Sequence, residues 1–170
     1  MGIASITGTA AVLGDHVSAD VVLPARHSFL KPEQMAENVL MDLSAEANRK
    51  VREHSIVVAG EAFGYGTGRE SPSRALRAAG VRAVIAKSFS RLFFRNAINN
   101  GIVVIQCPEL AAMPVQDGDE ISIALADGRV QWKDKSFSIA PVTDVVAKIV
   151  EAGSLINYGR ELLGVDKVQS

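Results

Sequence analysis

The residues best able to do chemistry lie in one stretch, SIVVAGEAFGYGTGRESPSRALR, residues 55 to 77. Within it Gly60, Gly64, Gly66 and Gly68 crowd around Thr67 and Arg69. Glycine lets a backbone turn tightly and approach a ligand with no side chain in the way, so Gly66 and Gly68 are candidate substrate contacts. Arg69 carries a planar, permanently charged fork that matches a carboxylate. Thr67 offers a hydroxyl beside backbone N–H groups, where a developing alkoxide would be stabilised. The bland alternative is a tight turn with an exposed arginine. Four glycines, a hydroxyl and a guanidinium in one loop shift the balance toward an anion site. The loop reads G-x-G-x-G, without the third glycine of a dinucleotide fingerprint and without the lysine of a P-loop. A carboxylate fits better than a nucleotide.

The elements that must position this loop are legible on either side. Ser55 to Ala59 is a short apolar run with β-branched residues, the pattern of an interior strand. Ser71-Pro72 reads as a helix start, with the serine as cap and the proline in the first helical position. Such a helix N-terminus favours anions through its free N–H groups and dipole. The helix ends at Gly80, Val84 to Ala86 forms the next strand, Ser90 caps a helix closed by Asn100-Gly101, and Val103 to Gln106 is another strand. The order from 55 to 107 is strand, loop, helix, strand, helix, strand, which implies a parallel sheet with crossover helices.

Upstream, Ile6 to Leu13 reads as a strand and Asp20 to Leu23 as a second, stopped by Pro24. An irregular segment then carries Arg26 and His27, and helices follow from Pro32 and Ser44. Downstream, Glu120 to Leu125 alternates, Asp127-Gly128 is a hairpin turn into Val130 to Trp132, and Phe137 and Ile139 continue as a third antiparallel strand. Thr143 caps a helix to Ala152 that stops at Gly153, a last helix spans about Leu155 to Leu163, and a polar tail follows. No repeat or linker divides the chain, so residues 1 to 170 form a single α/β domain.

The bulk properties narrow the function. A formal net charge of −1 argues against nucleic acid as the main partner, because phosphate binding needs a basic surface. One cysteine, Cys107, excludes a disulfide within the chain and an all-cysteine metal site made by this chain alone. It reads as a buried thiol at a strand end. His16 and His27 lack metal-ligand spacing, and Phe89, Phe93 and Phe94 read as core or partner contacts. With no signal pattern and no membrane-length apolar run, the expected location is the cytoplasm.

Four stretches together resemble the small subunit of 3-isopropylmalate dehydratase, the family that matches the swivelling domain of aconitase. They are Gly14 through Arg26, the glycine loop, AGVRAVIAKSFSRLFFRNAINNGI at residues 79 to 102, and the hairpins from Asp119 through Ile156. The loop is similar to the family's F-G-C-G-S-S-R-E-H. The resemblance implies a swivelling β/β/α domain, with a parallel central sheet, a smaller antiparallel sheet and flanking helices. It also implies a hydro-lyase active only with a large subunit that carries a 4Fe-4S cluster. No cofactor is expected on this chain. The substrate would be a small hydroxy di- or tricarboxylic acid.

By the same resemblance, the family's proton-transferring serine falls on Thr67 and its carboxylate-binding arginine on Arg69. Gly68 stands where the family has a second serine, Tyr65 where it has cysteine, and Ser71 where it has histidine. Arg26 matches the arginine of the N-terminal pattern and is a further candidate for holding substrate. Ser18 and Ala19 replace a family Asp and Thr, and His27-Ser28 replaces a tyrosine-leucine pair that reads the substrate's side group. The departures sit at chemistry and specificity positions. Three readings follow: the isopropylmalate enzyme of leucine biosynthesis, a same-class dehydratase for dimethylmalate, homoaconitate or a methylated malate, and a non-catalytic carboxylate-binding module.

Overall fold

In the computed structural model, which describes residues 5–165, strand β1 (Ile6–Val12) joins two halves of the fold. On one side it pairs in parallel with β2 (Ile56–Ala59), Ala10 opposite Ile56. On the other it pairs antiparallel with β5 (Glu120–Ala124), Ile6 opposite Ile123. Beyond β2 lie β3 (Ala83–Ala86) and β4 (Val103–Gln106), both parallel. Beyond β5 lie β6 (Arg129–Trp132) and β7 (Lys135–Ser138), both antiparallel. The expected parallel and antiparallel sheets are thus the two wings of one seven-stranded sheet, ordered β4-β3-β2-β1-β5-β6-β7.

Strand alternation sends side chains to opposite faces and so builds two cores. Val57, Ala59, Val84 and Ala86 join a core completed by Leu23, Met35, Val51, Leu76 and Phe93. These last residues come from the helical layer. Ile56, Val58, Ala83 and Ile85 join a second core, to which the antiparallel wing adds Ile121, Ile123, Val130 and Trp132. Strands buried on both faces need no polar alternation, which explains the continuous apolar runs at 56–59 and 83–86.

The helices follow their caps. Ser44 caps α3 (Ala45–Glu53), Ser90 caps α5 (Arg91–Asn99) and Thr143 caps α7 (Asp144–Ala152), each hydroxyl accepting an N–H from three residues on. Helix α2 (Pro32–Asn38) starts on its proline as expected, a short α6 (Pro108–Ala111) was not anticipated, and α8 (Leu155–Leu163) is the last helix among the described residues. The polar tail expected after α8 extends beyond the described residues.

Two expectations are corrected. Asp20 to Leu23 is not a strand; Ala19–Val22 forms a helical turn, α1. Its cap is Ser18, whose Oγ accepts the Val21 N–H at 3.1 Å. The apolar Val21-Val22-Leu23 run is β-prone by composition, yet Val22 and Leu23 bury completely against the helical layer instead of pairing in the sheet. Nor does Ser71 cap the central helix. Helix α4 (Ser71–Ala78) already includes it, the cap position is Glu70, and no side chain fills that role. The Ser71 hydroxyl instead faces Ser28 Oγ at 2.9 Å.

Candidate active site

Parallel strands deliver their C-terminal ends to one edge of a sheet, and ligands of open α/β sheets gather there. Here β1 runs into Gly14-Asp15 and α1, β2 into the glycine loop, and β3 into Lys87–Ser90. These three connections stitch together. Gly60 N–H donates to Gly14 O at 3.2 Å, and Asp15 Oδ1 accepts the Glu61 N–H at 2.8 Å. Ala62 N–H donates to Ser88 Oγ at 2.8 Å, and Phe63 bridges in parallel to Phe89. Gly64 N–H donates to Val17 O and Ala19 N–H to Tyr65 O, both at 2.8 Å.

Beneath the loop lies an aromatic floor. Phe63 meets Phe93 edge to face with centroids 5.1 Å apart, and Phe89 stacks parallel to Phe93 at 6.4 Å. These rings are core and support, the first of the two roles expected for them. Gly64 lies on this floor at φ +76, and a Cβ added there would come within 2.2 Å of Phe93 Cγ. Only glycine combines that conformation with that closeness.

On this base the loop presents Thr67 and Arg69 together, both half-buried. Thr67 Oγ1 accepts the Arg69 backbone N–H at 3.3 Å. The hydroxyl oxygen therefore already faces a donor of the kind that stabilises negative charge on it. Asn96, from α5, donates Nδ2 to the carbonyls of Gly68 at 3.0 Å and Arg69 at 3.1 Å, holding the loop from the far side. Gly66 and Gly68 are exposed beside Thr67. A Cβ on Gly68 would lie 2.9 Å from Leu92 Cδ1, so the leucine occupies the room a second loop side chain would need.

Arg69 has a partner that the sequence did not reveal. Its Nη2 donates to Asp20 Oδ1 on α1, an ion pair with the guanidinium about one-third exposed. Its Nε is buried without any hydrogen-bond partner. Arg26 lies on an adjoining 3-10 turn, Ala25–His27. That turn is tied to the start of α4 by the Ser28–Ser71 hydrogen bond. The Arg26 guanidinium is engaged by Asp42, and among the described residues no hydrogen bond joins it to the loop. The structure thus brings Gly66, Thr67, Gly68 and Arg69 into one surface and leaves Arg26 at its rim.

Asp15, Asp20, Ser88 and Asn96 hold the loop in place, a role that the sequence did not assign to them. Asn96 had a signal, since it lies in the stretch most similar to the family. Asp20 was hidden by the strand assignment, which gave its side chain no reason to face the loop.

The surface around the loop is open. A cleft of about 800 Å3 lies beside α4, lined by Glu70, Arg74, Asn100 and Leu155, and neither Thr67 nor Arg69 lines it. Among the described residues no group of three or more His, Cys, Asp or Glu side chains could hold a metal ion. Cys107 is buried, and desolvation pushes its thiol up. Among the same residues no helix is long and apolar enough to cross a membrane.

Comparison with known proteins agrees with this fold. Residues 26–110 match the aconitase C-terminal domain family. The 3-isopropylmalate dehydratase small subunit of Methanosarcina acetivorans is 41% identical over 159 residues, covering 92% of this chain and 97% of its own. That of Nautilia profundicola is 38% identical over 165 residues, covering 95% and 98%. The crystal structure of 3-isopropylmalate dehydratase (LeuD) from Methanocaldococcus jannaschii superposes with a TM-score of 0.81 at 32% identity, covering 95% of this chain and 98% of that one. A fold and a set of relatives that agree over nearly the whole length place this chain in the aconitase C-terminal domain family, among the small subunits of 3-isopropylmalate dehydratase.

Proposed function

We propose that this chain is the small subunit of a hydro-lyase that interconverts 2-isopropylmalate and 3-isopropylmalate by dehydration and rehydration in leucine biosynthesis. The observation that carries the reading is the pairing of the Thr67 hydroxyl with Arg69 on an open, glycine-built surface. In this reading Arg69 binds a substrate carboxylate through its free guanidinium edge. Thr67 Oγ1, stabilised as an alkoxide by the Arg69 N–H, takes the proton from the carbon beside that carboxylate and becomes the neutral hydroxyl. The electron pair of the broken C–H bond becomes the double bond as the neighbouring hydroxyl leaves. Returning the proton and the hydroxyl to exchanged carbons completes the isomerisation. Gly66 and Gly68 let the substrate approach the backbone, and Arg26 at the rim contributes to holding its far end.

This chain's own donor set does not fit an iron-sulfur cluster, because its one cysteine is buried with its thiol pushed up by desolvation, and among the described residues no three His, Cys, Asp or Glu side chains gather where they could hold a metal. A 4Fe-4S cluster therefore belongs, in this proposal, to the large subunit, and the pair works in the cytoplasm. The open surface at Thr67 supports a site completed by a second polypeptide.

The test is to copurify the chain with its cognate large subunit under reducing conditions, measure iron in each chain, and assay turnover of 3-isopropylmalate. The expected result is activity of the pair and none of either subunit alone. Binding of a small acid by the isolated chain, with no turnover by any pair, would favour the non-catalytic module instead.

One observation favours a second substrate. Ser28 and Ser71, both departures from the family pattern, face each other at 2.9 Å. A paired change beside the loop fits a remodelled side-group pocket, and a same-class acid such as dimethylmalate or homoaconitate would then outperform 3-isopropylmalate. Ranking kcat/KM across these acids decides between the two.

A further inference from the structure

The geometry points to Asp20 as a positioning residue that presets Arg69 for its carboxylate ligand, an inference that rests on the function proposed above. Asp20 stands on α1, whose start is bound to the loop by the Gly64–Val17 and Ala19–Tyr65 backbone hydrogen bonds at 2.8 Å. Its two oxygens divide their work. Oδ1 accepts from Arg69 Nη2, while Oδ2 faces Gly66, where an added Cβ would lie 3.0 Å away and the backbone φ is +100. One carboxylate therefore lies along the loop from Gly66 to Arg69 and is bonded to it at Arg69.

The consequence for Arg69 is directional. A guanidinium can meet a carboxylate along its Nε–Nη edge or end-on through its two Nη groups. Here Nε is buried and unpartnered, so that edge is closed to a ligand from outside. With Nη2 anchored by Asp20, Nη1 is the terminal nitrogen without a protein partner among the described residues. Asp20 fixes the roll of the guanidinium so that Nη1 and the remaining Nη2 hydrogen face outward. Arginine loses much rotamer freedom when it binds, and a preset side chain has less left to lose. The effect belongs in substrate binding more than in the chemical step.

The experiment uses the active pair of this chain with its large subunit. Asp20→Ala should raise KM about tenfold and leave kcat within about twofold, the split expected when ground-state positioning is lost. Asp20→Asn keeps the Oδ1 acceptor and should restore KM to within about threefold of wild type. In an Arg69→Ala background, removing Asp20 should add nothing further to KM, since the two act as one unit. The melting temperature of Asp20→Ala should shift by no more than about 2 °C, because an exposed ion pair contributes little to stability. An unchanged KM in Asp20→Ala overturns the proposal, as does a KM effect that persists without Arg69 or a collapse in melting temperature. A wild-type pair that turns over no hydroxy acid overturns the proposed function and this inference with it. An active wild-type pair indifferent to Asp20 overturns this inference alone.

Discussion

At Thr67 the chain carries a β-branched alcohol where the loop pattern it resembles has a serine. The added methyl costs rotamer freedom, yet Oγ1 keeps a backbone donor at 3.3 Å. Thr67→Ser should therefore stay active, and Thr67→Ala should lower kcat of the pair by at least about 100-fold, the typical worth of a positioned proton-transfer group. Arg69→Lys removes the planar fork and should raise KM about tenfold. Both are read from steady-state turnover. At the rim, the hydrogen bond and charge of Arg26 hold the Asp42 carboxyl below the usual carboxylate range. A depressed folded pKa means the contact is present above the ordinary carboxylate value and lost as pH falls through the depressed one. Arg26→Ala should return Asp42 to ordinary titration, followed by carboxyl carbon shifts in NMR. An Asp42 that titrates identically in both proteins would refute the pairing.

At the scale of elements, the site is three loops fastened to one another over phenylalanines. Its glycines, its entering strand and the Ser90 cap were readable because each is a local signal. The fastening was not, because Asp15, Asp20 and Asn96 act across 46, 49 and 28 residues of chain. Gly64 shows how tightly the loop rests on its floor. Gly64→Ala should destabilise the fold by about 2–3 kcal/mol, from a left-handed backbone and overpacking against Phe93 acting together. Urea unfolding measures this directly, and a variant of wild-type stability would show that the loop is free to lift away.

At the scale of the molecule, β1 makes one sheet of two wings, and the antiparallel wing closes the second core. Trp132 anchors that wing by donating Nε1 to Asp119 Oδ2 at 2.9 Å. The Gln116 backbone N–H and the Trp132 indole, with Lys133 nearby, hold the Asp119 carboxyl below its ordinary range. Its stabilising effect is therefore present above the usual carboxylate pKa and fades as pH falls through the depressed value. Asp119→Asn should be less stable than wild type near neutral pH, and the gap should narrow in acid. Urea midpoints read from the fluorescence of Trp132, the only tryptophan, test this. A gap constant with pH would mean the charge of Asp119 is immaterial.

The amino-acid order alone determined what depends on neighbours in the chain. The glycine elbow, the interior strands, the serine and threonine caps and the candidate hydroxyl and guanidinium all follow from short-range sterics and hydrogen bonding. Tertiary structure decided what short segments with divided loyalties would do. Val21-Val22-Leu23 became part of a capped helical end because burial against the helical layer outweighed β propensity. The Ser71 hydroxyl turned to Ser28 rather than capping its own helix. Arg69 found Asp20 because packing brought α1 over the loop, a contact between distant residues that no local pattern encodes.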